Sequence, residues 1–283
     1  MAKAYPPLKA LSQNFLRSEI LARNLVDKLS LNPIDVVIEL GAGRGAMTFL
    51  LAPRVARLLA VEIDAGHCLE LQEKIRERGL ANVEVLHADL LKADWKEWHD
   101  WAKGPFGIVG NLPYHISSPI LFRIVEHRHF LTKAYVMLQK EVAARLLAQP
   151  GTKEYGVITV LIGYYALVKA VAHLGPNAFF PRPKVASTFV ELSFRAGLNP
   201  EISDENLFSW LVHAAFGQRR KQIRNSLTAD GRFSLASILD SLKRNQIDPQ
   251  CRGETLSISQ FAALANTLAE LPPASMAPPV PDA

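Results

Sequence analysis

Three glycines at alternate positions, Gly41, Gly43 and Gly45, follow directly on the apolar run Val36-Val37-Ile38-Glu39-Leu40. A buried strand that runs into such a turn leaves backbone amides facing a ligand at the start of a helix. Four more runs of strand length and apolar character lie downstream, at Leu58–Glu62, Val83–Leu86, Phe106–Gly110 and Ala134–Leu138. Helical patterns separate them, as from Ala65 to Arg78. Strands alternating with helices predict an α/β chain built on a doubly wound, mostly parallel sheet. In such sheets a ligand binds beyond the carboxyl ends of the strands, so the residues just after each strand carry the most information.

The pattern changes near Ala196-Gly197-Leu198-Asn199-Pro200. Beyond it Ser203 or Asp204 can cap a helix through Leu207, Trp210, Leu211 and Ala214, and helical segments follow at Leu235–Leu242 and from Ser257, where Ser257 and Gln260 have the spacing of a capping box. Residues 1–198 are therefore expected to form the large α/β domain and 201–270 a small all-helical domain, with a Pro-rich, disordered tail over 271–283. No apolar run approaches the ~20 residues needed to cross a bilayer. The start, Met1-Ala2-Lys3-Ala4-Tyr5-Pro6-Pro7, lacks the apolar core of a signal peptide. Cys68 and Cys251 lie far apart without metal-type spacing and read as reduced thiols, so a cytoplasmic protein without a metal site or a membrane partner is expected.

The cofactor class follows from the strand ends. Gly41 to Ala46 satisfies a relaxed dinucleotide fingerprint, and Glu62, 21 positions after Gly41, can accept from both ribose hydroxyls. A nicotinamide enzyme and a nucleoside-binding methyltransferase share these features. His87-Ala88-Asp89 then adds a second carboxylate, suited to an adenine amino group, and nothing nearby is basic enough for a second phosphate. The balance favours S-adenosylmethionine, with Gly41, Gly43, Glu62 and Asp89 lining its site.

Gly110-Asn111-Leu112-Pro113-Tyr114-His115 closes the fourth strand at the same rim. The exocyclic amine of adenine is a poor nucleophile because its lone pair is delocalised into the ring. Two acceptors can hold the amine pyramidal, and the Asn111 side-chain oxygen and the Leu112 carbonyl supply them, with Pro113 fixing the geometry. Tyr114 offers a face for a base drawn out of its stack. No strong general base is needed, so positioning and local electrostatics carry the catalysis. A plain turn would contain the same residue types, but not at a strand end beside a nucleoside pocket.

Charge points to the macromolecular partner. Residues 1–119 hold 14 basic and 14 acidic side chains, 120–200 hold 10 and 4, and 201–283 hold 8 and 9. The excess lies in the middle third, with a further local cluster at Arg219, Arg220, Lys221 and Arg224. A solvated surface and a nucleic acid partner both fit such a distribution.

With these residues assembled, the chain resembles the ribosomal RNA adenine dimethyltransferases of the KsgA/RsmA type. The likeness rests on Ser12-Gln13-Asn14-Phe15-Leu16, Glu39 to Gly45, Asn111 to Ile120, and Phe179-Phe180-Pro181-Arg182-Pro183-Lys184-Val185-Ala186-Ser187. Phe216 to Lys221 resembles the helical domain of that family. The resemblance implies a Rossmann-like class I methyltransferase domain that dimethylates two adjacent adenines in a hairpin loop near the 3′ end of 16S ribosomal RNA. The partner would be the small ribosomal subunit or its precursor, the enzyme a monomer, and its loss a route to kasugamycin resistance. By position, Gln13, Asn14 and Leu16 would close over the cofactor, with Gly41, Glu62, Asp89 and Asn111 binding it. Phe180 would stack on the target adenine opposite Tyr114. Arg182, Lys184, Arg219, Arg220, Lys221 and Arg224 would meet RNA phosphates. Large-subunit methyltransferases of the macrolide-resistance type share the fold and cofactor blocks. His115-Ile116-Ser117-Ser118 resembles the small-subunit group more. A noncatalytic assembly factor on the same scaffold would have no use for an intact cofactor set.

Overall fold

The computed structural model describes residues 14–271, so Gln13 and the expected tail from residue 272 lie outside the described residues. The chain divides into two compact units. One holds the residues up to Ala143 together with Ala166–Phe194, and the other Ala144–Tyr165 with Arg195 onward.

The first unit is built on a seven-stranded sheet. A short strand β1 (Phe15–Leu16) stands apart from it and precedes β2 (Val36–Leu40), β3 (Arg57–Glu62), β4 (Val83–His87), β5 (Phe106–Asn111), β6 (Leu131–Gln139), β7 (Ala166–Leu174), a second short strand β8 (Phe179–Phe180), and β9 (Ser187–Phe194). The sheet order is β4-β3-β2-β5-β6-β9-β7. The first five are parallel, and β9 runs antiparallel to both of its neighbours. Helices α1 (Glu19–Val26), α2 (Thr48–Leu51), α3 (Ala65–Glu77), α4 (Trp95–Ala102) and α5 (Ser117–Glu126) occupy the connections. The five parallel strands coincide with the five apolar runs, because strands covered on both faces need unbroken apolar sequence. Val37, Ile38, Leu58, Val61, Ile108 and Val109 are fully buried. Asp64 and Asp94 start α3 and α4 by accepting from the backbone amides of His67 and Lys96, which satisfies donors that helix starts leave orphaned.

Register fixes the functional edge. Leu40 is level with Val61 and Gly110, Glu62 with His87, and Asn111 with Met137, so the carboxyl ends of the parallel strands form one rim. The antiparallel β9 places its first residue, Ser187, opposite Gln139 at that same rim. The short strands join two distant blocks: Phe15 pairs with Phe180 and Leu16 with Phe179, and the Arg17 amide donates to the Ala178 carbonyl at 2.9 Å.

The second unit is helical. It contains α7 (Val157–Tyr165), α8 (Glu205–Gly217), α9 (Ile223–Leu227), α10 (Leu235–Arg244) and α11 (Ile258–Ala269), while α6 (Lys140–Leu146) spans the division of the chain. Asp204 caps α8, and Ser257 with Gln260 forms the full capping box of α11. The sequence pattern places every residue up to 198 in the α/β domain. The division instead falls at Phe194, and Ala144–Tyr165 joins the helical unit. The reason is composition: α7 is nearly all apolar, buries Val160, Leu161, Ile162, Tyr164 and Tyr165, and packs on α8 and α11. No described helix is long and apolar enough to cross a membrane.

Candidate active site at the carboxyl rim of the sheet

The glycine turn adopts a backbone that only glycine holds without strain: φ is +74° at Gly41, +55° at Gly43 and +86° at Gly45. A Cβ at Gly43 would come within 2.8 Å of the Phe15 ring. The turn is fastened by Glu62, which is 4% exposed. Its Oε2 accepts from the Gly43 amide at 2.8 Å, and its Oε1 accepts from the amides of Ile63 and Asp64, each at 2.9 Å. A carboxylate has about four acceptor positions, so Glu62 retains one on Oε2 for a ligand hydroxyl. Asp89 follows β4. Its Oδ1 accepts from the Leu91 amide at 2.9 Å and its Oδ2 lies 3.8 Å from Lys92 Nζ. The side chain is thus half committed to a turn and half open to a ligand.

These groups surround one cavity, lined by Asn14, Phe15, Gly41, Gly43, Glu62, Ile63, Asp89, Leu90, Leu91, Asn111, Pro113 and Ile116, among others. Ile63 and Leu91, 41% and 39% exposed, are apolar side chains left open at its wall. Such surface suits the face of a nucleobase. Carboxylates at two strand ends, apolar walls and a turn without room for a Cβ fit S-adenosylmethionine.

Asn111, the last residue of β5, donates from Nδ2 to the Asn14 backbone carbonyl at 3.0 Å. That bond spends the donor half of the amide and fixes its Oδ1 as an acceptor. Leu112 is buried, at 2% exposure. The Pro113 carbonyl accepts from the Ile116 amide at 3.1 Å and from Ser117 Oγ at 3.3 Å, so it is the Pro113 carbonyl that closes the turn. Tyr114 is half-buried, and its hydroxyl is bonded to Ser187 Oγ at 2.7 Å. Burial pushes the Tyr114 phenol up from its ordinary value, against the opposing Ser187 bond. The ring is therefore neutral and tethered at its far end.

The chain matches the ribosomal RNA adenine dimethylase family over residues 8–270. The chain belongs to this family. It is therefore an rRNA adenine dimethyltransferase. The ribosomal RNA small subunit methyltransferase A of Syntrophus aciditrophicus is 40% identical over 93% of this chain and 94% of its own. Among solved structures, a dimethyladenosine transferase from Plasmodium falciparum shares the fold, with a TM-score of 0.77 at 23% identity over 88% of this chain and 95% of its own. The 23S rRNA methyltransferase ErmE aligns with a TM-score of 0.69 at 26% identity over 90% of this chain and 100% of its own.

Set against this cavity, the residues singled out in the sequence fall into three groups. Asn14, Gly41, Gly43, Glu62, Asp89, Asn111 and Pro113 line the cavity. Leu16 does not; it pairs with Phe179 and lines a neighbouring cleft, while Phe15 takes the place at the cofactor cavity. Phe180 stands 60% exposed at that neighbouring cleft, and Arg182 just after it is exposed as well. In the helical unit Arg219, Arg220 and Lys221 lie in the turn between α8 and α9, with Arg224 in α9. Arg219 differs from the other three. It donates to Glu254 at 3.0 Å and to the carbonyls of Lys153 and Tyr155 at 2.8 and 3.1 Å, so it braces the unit internally. Ser187 and Phe15 escape the sequence reading, and their one advance signal is membership of motif blocks whose partners lie far away in the chain.

Proposed function

We propose that this enzyme uses S-adenosylmethionine to dimethylate the exocyclic amines of two adjacent adenines in the 3′-terminal hairpin loop of 16S ribosomal RNA, in the small subunit or its late precursor. The observation that carries the reading is the fixed orientation of Asn111. Its amide nitrogen is held by Asn14, so its oxygen is left to accept from an amine at the rim. Bound S-adenosylmethionine supplies an electrophilic methyl group on a sulfonium. The chain supplies position. Glu62 accepts from a ribose hydroxyl, Asp89 accepts from the cofactor's adenine amino group, and Asn14 and Phe15 cover the site.

Asn111 Oδ1 and the Leu112 carbonyl accept the two protons of the target amine and hold its lone pair out of the ring plane. Tyr114 stacks on one face of the flipped base and Phe180 on the other, each stack worth roughly 1–3 kcal/mol. After transfer the methylated amine is cationic and acidic, and it releases its proton to solvent water, so no buried base is needed. In a second round the monomethylated amine has one proton left, so only one of the two acceptors is engaged while the other side must make room for the methyl. Small-subunit RNA as substrate is supported by the 40% identity to a small-subunit enzyme, against 26% to ErmE. Arg182, Lys184, Arg220, Lys221 and Arg224 contact phosphates in this reading.

The test is methyl transfer to separated, undermethylated ribosomal subunits followed by nucleoside analysis. Dimethyladenosine in small-subunit RNA is expected. Label confined to large-subunit RNA would refute the assignment.

A further inference from the structure

Two short strands join the cofactor cavity to the neighbouring cleft. Phe15 of β1 lines both, whereas its cross-strand partner, Phe180 of β8, lines only the cleft. On the cofactor side Phe15 is held on two flanks. Its ring lies where a Cβ at Gly43 would be, and the fully buried His67 ring meets it at right angles, with 5.4 Å between centroids. Successive side chains of a strand point to opposite faces. Leu16 and Phe179 therefore share one face of the pair, and it is the core face: Phe179 is 1% exposed and belongs to the hydrophobic core, with Leu16 packed against that core. Phe15 and Phe180 share the other face. The pair has two rungs and continues in the bond from the Arg17 amide to the Ala178 carbonyl, while the Arg17 side chain is exposed.

We propose that the β1–β8 pair couples the two ligand sites, with the Arg17 amide as a positioning group. Cofactor that fixes β1 at its cavity sets Phe180 for the target adenine, and adenine held by Phe180 sets Phe15 for the cofactor. The inference rests on the RNA-adenine reading above and adds the link between its two ligands. A strand pair of two rungs is marginal on its own. Ordering it costs backbone entropy. A ligand that orders a shared segment removes that cost for the second ligand, so the two bind cooperatively without touching each other. Linkage is reciprocal, and each ligand must therefore raise the affinity for the other by one and the same factor.

The experiment measures how S-adenosylhomocysteine, which occupies a methyl donor's site without reacting, changes the affinity for a synthetic RNA hairpin with adjacent loop adenines. The converse effect of the hairpin on S-adenosylhomocysteine affinity is measured as well. Wild type is compared with Arg17→Pro, which lacks the amide, and with Arg17→Ala, which keeps the amide and loses the same charge. Wild type should show a factor of about five in both directions, the low end for coupled sites. Arg17→Ala should keep that factor, and Arg17→Pro should bring it below about two while each ligand still binds alone. A factor near one in wild type would overturn the proposal, as would an undiminished factor in Arg17→Pro. Equal loss in Arg17→Ala would assign the effect to the guanidinium and overturn it too. Hydrogen exchange on wild type needs no variant: S-adenosylhomocysteine alone should slow exchange of the amides at 179–180 as well as 15–17. Protection confined to 15–17 would sink the coupling. Methyl transfer to undermethylated small subunits is measured in parallel, and its absence in wild type would instead remove the reading beneath the proposal.

Discussion

Asn111 Nδ2 donates to the backbone carbonyl of Asn14 across 97 positions of sequence, and this one bond ties the proposed catalytic turn to the segment at the wall of the candidate cofactor cavity. It orients the Asn111 oxygen without help from substrate. Asn111→Ala removes both the acceptor and the tether. Loss of one preorganised group that matters most in the transition state costs roughly 10²–10³ in turnover. We expect single-turnover methyl transfer to fall by about that factor, with hairpin affinity within about threefold of wild type. Turnover near wild type would remove Asn111 from the chemistry.

Tyr114, the proposed stacking platform, is oriented from a strand 73 positions away in sequence. Ser187, 1% exposed, holds the phenol at 2.7 Å. Ser187→Ala leaves a half-buried hydroxyl without that partner, at a cost of about 1 kcal/mol, and frees the ring to tilt. The expected result is a KM for RNA raised several-fold with cofactor affinity unchanged. Tyr114→Phe should do the same, and the double variant should be no worse than either alone, since both remove one interaction. Additive losses would show that Ser187 and Tyr114 act separately.

These two bonds also mark where the sequence stops being legible. The glycine turn, the five parallel strands and the helix caps are local signals, and each appears where its residues predict it. The carboxyl-rim rule then brings Glu62, Asp89 and Asn111 together without knowledge of any contact. The antiparallel strand β9 breaks that rule, because it delivers its first residue, not its last, to the rim. In the sequence, Ser187 is therefore indistinguishable from the end of a loop motif. Phe15 is equally silent: its place depends on pairing with Phe180, and nothing in a two-residue strand announces so distant a partner. The helical boundary moves for a related reason, since the apolar segment Val157–Tyr165 is as suited to a helical core as to the flank of a sheet.

Glu39 gives the fold a pH dependence. It is 3% exposed, and its carboxyl titrates near pH 8 because burial disfavours the charge; the Thr48 hydroxyl, donating to Oε2 at 2.6 Å, opposes the rise, and Glu62 adds to it. The unfolded chain loses this proton near pH 4.5, so between about 4.5 and 8 the folded state binds more protons than the unfolded one. Stability from this group is thus greatest below pH 4.5 and declines as pH rises to about 8, by an amount on the order of a few kcal/mol. Glu39→Gln keeps an acceptor for Thr48 and removes the titration. Its melting temperature should exceed that of wild type at pH 8 by more than at pH 5. Parallel pH–melting curves for the two proteins would exclude Glu39 as the source.

The basic cluster after α8 should separate into two kinds of residue. Arg219 bonds to Glu254 and to three carbonyls of the segment before α7, so its removal strips a donor from four acceptors at once. Arg219→Ala should lower the melting temperature by a few degrees, equivalent to about 1–2 kcal/mol once the exposure of the ion pair is allowed for. Arg220 and Lys221 are exposed and make no ion pair among the described residues. Arg220→Gln and Lys221→Gln should leave melting unchanged and each flatten the salt dependence of RNA binding by about one. A flattened slope for Arg219→Ala at unchanged stability would reverse its assignment, because a brace and a phosphate ligand draw on the same guanidinium.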